Sequence, residues 1–185
     1  MNKLETNIQD VFIIENDLIK DNRGTFLKVF NKDIFKKLEL PSTFNEKFYS
    51  TSIKDVIRGM HFQIPPYAHE KIIFVPKGKI NDIVLDIRKE SPTYGKYFMT
   101  ELSEYNNRSI FIPKGCAHGF LSKEKYNLVV YMQTSVYNPN ADSGIRYNSF
   151  GFDWGIDNPI ISQKDLNLCD FNDFDSPFMY NESAK

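Results

Sequence analysis

The chain has 185 residues, with 23 Lys plus Arg against 24 Asp plus Glu and a net charge of −1. It therefore lacks the overall field that would hold nucleic acid or an anionic membrane surface. Apolar residues at 41% and charged residues at 25% are ordinary for a globular protein and suit one domain over residues 1–185. The first six residues, Met1 to Thr6, lack the apolar segment of an export signal, and no apolar run reaches the ~18 residues of a membrane span. Cys116 and Cys169 are far apart and form no CxxC, so reduced thiols and a cytoplasmic setting are expected.

Aromatic content is high, with 16 Phe and 10 Tyr, a composition that favours strands. In chain order, Val11 to Ile14 reads as a strand, Asp21-Asn22-Arg23-Gly24 as a turn, and Thr25 to Phe30 as a returning strand. Ile34, Phe35 and Leu38 have helical spacing and predict a short helix within Asn31 to Leu40. Phe44 to Ser52 alternates as a strand does, and Val56-Ile57 follows. Lys71 to Val75 and Lys79 to Ile87 flank Pro76-Lys77-Gly78 and read as a hairpin. Tyr97 to Leu102, Ser109 to Ile112 and Asn127 to Met132 complete the strands. Lys164 to Leu168 reads as a terminal helix capped by Ser162, and the polar tail after Phe178 as loosely ordered. Many short strands with little helix predict an all-β jelly-roll sandwich with a few short helices.

The chemistry-bearing residues are few. The three histidines are His61, His69 and His118; His61 follows Arg58-Gly59-Met60, and His118 lies in Gly115-Cys116-Ala117-His118-Gly119. Glycines beside a polar residue let the backbone bend and a ligand approach, but each histidine alone reads more readily as a satisfied structural group. A metal site would need clustered ligands. Gln63 stands where a His-x-His would place its second histidine, and His69 with Glu70 is a weak substitute, so no metal and no cofactor is expected. A Cys116–His118 nucleophile pair is the other alternative; a buried cysteine acting as a small hydrophobe competes with it.

The runs RGMHFQIPPYAHEKIIFVPKGKINDIVLD at 58–86, IRKESPTYGKY at 87–97 and IPKGCAHGF at 112–120 closely resemble the dTDP-4-dehydrorhamnose 3,5-epimerase family. The likeness runs in order from Val11 to Leu166. It implies a cupin-type jelly roll, a homodimer with exchanged N-terminal strands, no metal, and a nucleotide-diphosphate sugar as substrate. The implied reaction is proton abstraction beside a C4 ketone, followed by reprotonation from the opposite face at C3, C5 or both. The resemblance makes His61 the base, Asp165 the carboxylate that orients it, Tyr131 the opposing acid and Lys71 the cation facing the enolate. Arg58, His118, Gln63, Asp142 and Lys164 fall among the substrate-binding positions, with Arg23 supplied across the dimer. Without the resemblance, Lys71 reads as a surface lysine, Tyr131 as a core tyrosine and Asp165 as a first-turn helix charge.

The departures from the family pattern gather where the base would be read. Lys28 stands where the family commonly has Glu, Glu46 and Phe48 where it has Gln and Asn, and His69 where it has Gln. Glutamate only accepts and lysine only donates, so the expected nucleotide is CDP or GDP in place of dTDP. Two rival activities stay open: a nucleotide-sugar 3,4-ketoisomerase, which the Phe62-Gln63 pair disfavours, and a non-catalytic sugar-binding jelly roll.

Overall fold

Short apolar and aromatic runs with a period of two bury one face in a sheet and return through Gly, Asn and Asp turns. The computed structural model describes residues 1–181. Its strands are β1 Asn2–Glu5, β2 Phe12–Glu15, β3 Asp17–Asp21, β4 Gly24–Lys28, β5 Glu46–Ser52, β6 Ile57–Gln63, β7 Lys71–Lys77, β8 Lys79–Asp86, β9 Tyr97–Ser103, β10 Arg108–Ile112, β11 Cys116–Ser122, β12 Asn127–Gln133 and β13 Asp142–Gly144. Helices α1 Lys32–Lys37 and α2 Gln163–Leu166 and one 3₁₀ turn at Phe171–Asp173 are the helical pieces among the described residues. No helix there is long and apolar enough to cross a membrane.

Two antiparallel sheets face each other, one ordered β1-β2-β10-β7-β12-β5 and the other β13-β6-β11-β8-β9. From β5 to β12 the chain switches sheets at every connection but the β8–β9 hairpin, which is the jelly-roll winding expected from the strand pattern. Alternation then sorts the core. Ile13, Ile73, Ile110 and Tyr131 point between the sheets, while their chain neighbours Ile14, Ile72, Phe111 and Met132 point outward onto Phe35 of α1. Ile57, Met60 and Phe62 of β6 pack outward with Phe150, Trp154 and Phe178 of the C-terminal segment.

Three elements depart from expectation. The segments on either side of Pro76-Lys77-Gly78 are not a hairpin: β7 belongs to one sheet and β8 to the other. Gly78, at φ +84°, turns a corner where a Cβ would lie 2.4 Å from the Tyr126 carbonyl, and its N–H donates to Glu104 Oε1. Alternation cannot distinguish a hairpin turn from such a corner, because both leave the flanking strands antiparallel-looking. Second, Thr25 to Phe30 does not return onto β2; β4 pairs with β3 in a separate two-stranded sheet, and β2 lies between β1 and β10. Third, Met179 bridges Lys89 and the Tyr180 N–H donates to the Lys89 carbonyl, so the tail after Phe178 stays docked through Tyr180. The rest of the expected loose tail, residues 182–185, lies outside the described residues.

Candidate active site

One strand irregularity builds the centre of the site. In a regular strand, Arg58 and Ile57 alternate faces and residue 61 would point away from residue 58. The pairing of β6 with β11 shifts register between His118↔His61 and Phe120↔Arg58, so Arg58 and His61 both turn into the space between the sheets. Glycine is required for this. Gly59 has φ +134°, and a Cβ there would meet Gly119 Cα at 2.5 Å and the His118 carbonyl at 2.9 Å. The two strands touch backbone to backbone, as a bulge with paired glycines allows.

The cleft so formed encloses about 400 Å³ between the sheets and is lined from β5, β6, β7, β11, β12 and the segment after β12. His61 comes from the five-stranded sheet and Tyr131 and Lys71 from the facing six-stranded one. Arg58, His118, Gln63, Glu46, Phe48, Asp142 and Lys164 line the same cleft.

His61 Nε2 lies 2.8 Å from Asp165 Oδ1, and Asp165 Oδ2 accepts the Gly59 N–H at 3.2 Å. Asp165 sits in the first turn of α2, where the Ser162 hydroxyl caps its N–H at 3.0 Å. Burial pushes the Asp165 carboxyl up, but the contacts with His61 and Gly59 outweigh it and hold the group below the usual carboxylate range. An ionised Asp165 accepts a hydrogen bond from Nε2–H, so the Nδ1 lone pair is the one left for chemistry.

Lys71 is 6% exposed and donates to the His61 carbonyl at 3.1 Å. Burial lowers its pKa to about 8, with Asp142 and Asp82 opposing that shift. Burial raises the Tyr131 phenol well above its ordinary value, so it stays protonated. Its hydroxyl lies 3.3 Å from Ser50 Oγ, and Phe48 stacks on its ring at 4.7 Å with 14° between planes. Strand β5 thus uses alternate residues on the cleft side: Phe48 against Tyr131, Ser50 at its hydroxyl, and Ser52, whose Oγ accepts from Arg58 Nε at 3.0 Å. Arg58 also donates to the Thr51 carbonyl, so its guanidinium is held before any ligand arrives.

Sequence reasoning did not find Asp82. It is wholly buried, and its Oδ2 lies 2.8 Å from His118 Nε2. Burial pushes His118 toward its neutral form, with Asp82 opposing. The signal was a carboxylate set in the middle of the apolar β8 run, because buried charges need partners. Ser50 was missed too, and no pattern short of knowing the β5–β12 pairing would have exposed it.

Some candidates take other tasks. The Gln63 amide is engaged in structure: Nε2 donates to the Tyr67 and Val136 carbonyls at 3.0 and 3.1 Å, and Oε1 accepts the Asn138 N–H at 2.6 Å. His69, against Gln63, is held neutral, burial and nearby Lys71 lowering its pKa to about 3. Asp142 pairs with Lys164 and accepts from the Tyr137 hydroxyl. Glu46 Oε2 accepts the Tyr137 N–H at 2.6 Å. Arg23 and Lys28 are not brought to the cleft. They lie on the exposed β3–β4 hairpin, which pairs only within itself, and Arg23 is bonded to Asp21. Cys116 is 2% exposed and burial pushes its thiol up, which removes the nucleophile alternative. Among the described residues, no three His, Cys, Asp or Glu side chains converge as metal ligands.

Comparison with known proteins agrees with this architecture. The family model described as dTDP-4-dehydrorhamnose 3,5-epimerase matches residues 5–173. The dTDP-4-dehydrorhamnose 3,5-epimerase of Shigella flexneri is 37% identical over 178 residues, covering 95% of this chain and 98% of that protein. The crystal structure of the Sulfolobus tokodaii enzyme of the same name is 41% identical with a TM-score of 0.85, covering 92% of this chain and 96% of that one. The Legionella pneumophila dTDP-6-deoxy-D-glucose-3,5-epimerase, solved with dTDP-4-keto-L-rhamnose, has a TM-score of 0.92 at 31% identity, covering 97% and 98%. The chain belongs to the dTDP-4-dehydrorhamnose 3,5-epimerase family, isomerases built on a cupin-type jelly roll.

Proposed function

We propose that the whole chain acts as one jelly-roll domain that inverts C3, C5 or both of a nucleotide-diphosphate-linked 4-keto-6-deoxy sugar. The observation that carries this reading is the opposition of an Asp165-oriented His61 on one sheet to a protonated Tyr131 on the other. A ketone at C4 acidifies the adjacent C–H bonds. His61 Nδ1 takes the proton from one face, the electrons move onto the C4 oxygen as an enolate, and Lys71 stabilises that charge. Tyr131 then delivers a proton to the other face of the same carbon. Arg58 and Lys164 supply cationic contacts for the diphosphate, and His118, locked by Asp82, contacts the sugar.

A second element of the proposal concerns the base. Glu46 presents a carboxylate in the cleft, with Oε1 outside the Tyr137 contact. A carboxylate suits the amino group of cytosine or the paired N–H donors of guanine; thymine flanks its single N–H with two carbonyls. The test uses 4-keto-6-deoxy sugars carried on dTDP, CDP and GDP in deuterated buffer, followed by NMR. Deuterium should enter C3 or C5, fastest with CDP or GDP. No exchange with any of the three rejects the epimerase reading, and a clear preference for dTDP rejects the reading of Glu46 alone.

The proposal also places two copies together, in a reducing, cytoplasmic setting. The β3–β4 hairpin exposes Ile19 and Phe26 at 61% and 59%, and among the described residues β5 ends its sheet with an unpaired edge. Single hairpins are marginal in water and open edges invite pairing. Exchange of hairpins between copies would cover both and carry Arg23 and Lys28 to a partner's cleft. Sedimentation equilibrium at micromolar concentration should give a dimer, and deletion of residues 17–28 a monomer. A monomeric full-length chain counts against this assembly.

A further inference from the structure

Each turnover by the proposed chemistry leaves the protein one proton displaced. A carbon–hydrogen bond breaks toward His61 and a new one forms from the Tyr131 O–H, so the cycle ends with an imidazolium facing a phenolate. The tyrosine must be reprotonated before it can act again. Tyr131 is only 8% exposed, with Phe48 stacked on its face and His118 at its edge. Among the described residues its single side-chain hydrogen-bond partner is Ser50, on the last strand of the six-stranded sheet. Ser50 is half-buried and lies beside Tyr49, which is 67% exposed.

We propose that Ser50 is the relay residue that returns a proton to Tyr131, an inference that rests on Tyr131 being the acid. The Ser50 O–H gives its proton to the phenolate oxygen, and Ser50 Oγ takes one from a solvent water. That water's hydroxide is in turn neutralised by the proton His61 sheds, so protons and charge balance over the cycle. A sugar filling the cleft shields the tyrosine from direct contact with water, and Ser50, which lines the same cleft from the edge strand of its sheet, sets a hydroxyl on the edge side of that oxygen. Any second inversion within one binding event needs this reset before the product leaves. The resting distance of 3.3 Å is long for two hydroxyls, and catalytic hydrogen bonds tighten once substrate is bound. The high phenol pKa that burial imposes makes transfer from serine to the phenolate less unfavourable than transfer to an ordinary phenolate.

The experiment separates the first turnover from later ones. With enzyme in excess, Ser50→Ala should complete its first inversion within about twofold of the parent rate, because Tyr131 begins protonated. Under steady state kcat should fall by about tenfold, a part of the full value of an acid–base group, with KM falling alongside it because the slowed step follows the chemistry. Ser50→Thr, which keeps the hydroxyl on a strand, should restore the steady-state rate. Equal slowing of the first and later turnovers would mean that Ser50 merely positions the ring, and an unchanged steady-state rate would mean that water reprotonates Tyr131 directly. Either result overturns the relay. Tyr131→Phe tests the underlying reading separately: if its first turnover is unimpaired, Tyr131 is not the acid.

Discussion

His61→Ala should lower the rate of substrate proton exchange by about 10²–10⁴, the range for loss of a general base, while nucleotide-sugar binding measured by calorimetry is preserved. The separation of rate from binding follows from the geometry. The Arg58 guanidinium is held by Ser52 and Thr51, and the His118 ring by Asp82, so neither depends on the His61 ring. Asp165→Asn should be nearly as damaging although its oxygens do not line the cleft. An asparagine can present an N–H to Nε2, which turns the imidazole to the tautomer whose Nδ1 carries the proton and cannot act as a base. The amide also loses the charge that favours imidazolium after proton abstraction. An effect of His61→Ala below about tenfold rejects it as the base and would leave a sugar-binding jelly roll as the better reading.

How much of this site was legible depends on whether neighbours in sequence or neighbours across strands carry it. His61 and Arg58 stood out because the glycine between them is local, and the helix around Asp165 was readable from its Ser162 cap. The strand β5 follows from the alternation of its run, and β7, β9, β10 and β12 from short apolar runs bounded by turn residues. What stayed hidden is the pairing between runs. Whether Pro76-Lys77-Gly78 joins neighbours in one sheet or turns a corner depends on the surfaces waiting on either side, here Glu104 and Asn127, which cap the Gly78 and Lys79 N–H groups. Asp82 acquires its meaning only when β8 lies beside β11 and His118 reaches it. Ser50 needs the β5–β12 register, which sets Tyr131 against Phe48 and leaves its hydroxyl two residues along. Arg23 and Lys28 fall furthest from the reading, because the β3–β4 hairpin that carries them pairs within itself and does not line the cleft.

Lys71→Met should cost about 10²–10³ in kcat, comparable to the loss of one preorganised donor at a developing oxyanion, and the mutant should be at least as stable as the parent. The two effects share a cause. Lys71 is buried among cleft side chains, and burial has lowered its pKa from 10.5 to about 8, so the native state holds the cation at a cost. Between pH 8 and 10.5 the unfolded chain keeps a proton that the native chain has released. Stability from this residue therefore rises with pH through that window and is lowest below it, where both states are protonated and the burial cost is felt in full. Activity runs the other way, because only the protonated amine can stabilise an enolate; kcat should decline as pH climbs through about 8. Asp142 and Asp82 limit the shift, so removing either charge should move that decline to lower pH. Methionine keeps the length and apolar stem of the side chain while deleting the charge, so the mutant should lose both pH trends together. A parent whose kcat stays flat from pH 7 to 10, or a mutant that keeps the decline, would assign the enolate-stabilising role to another group in the cleft.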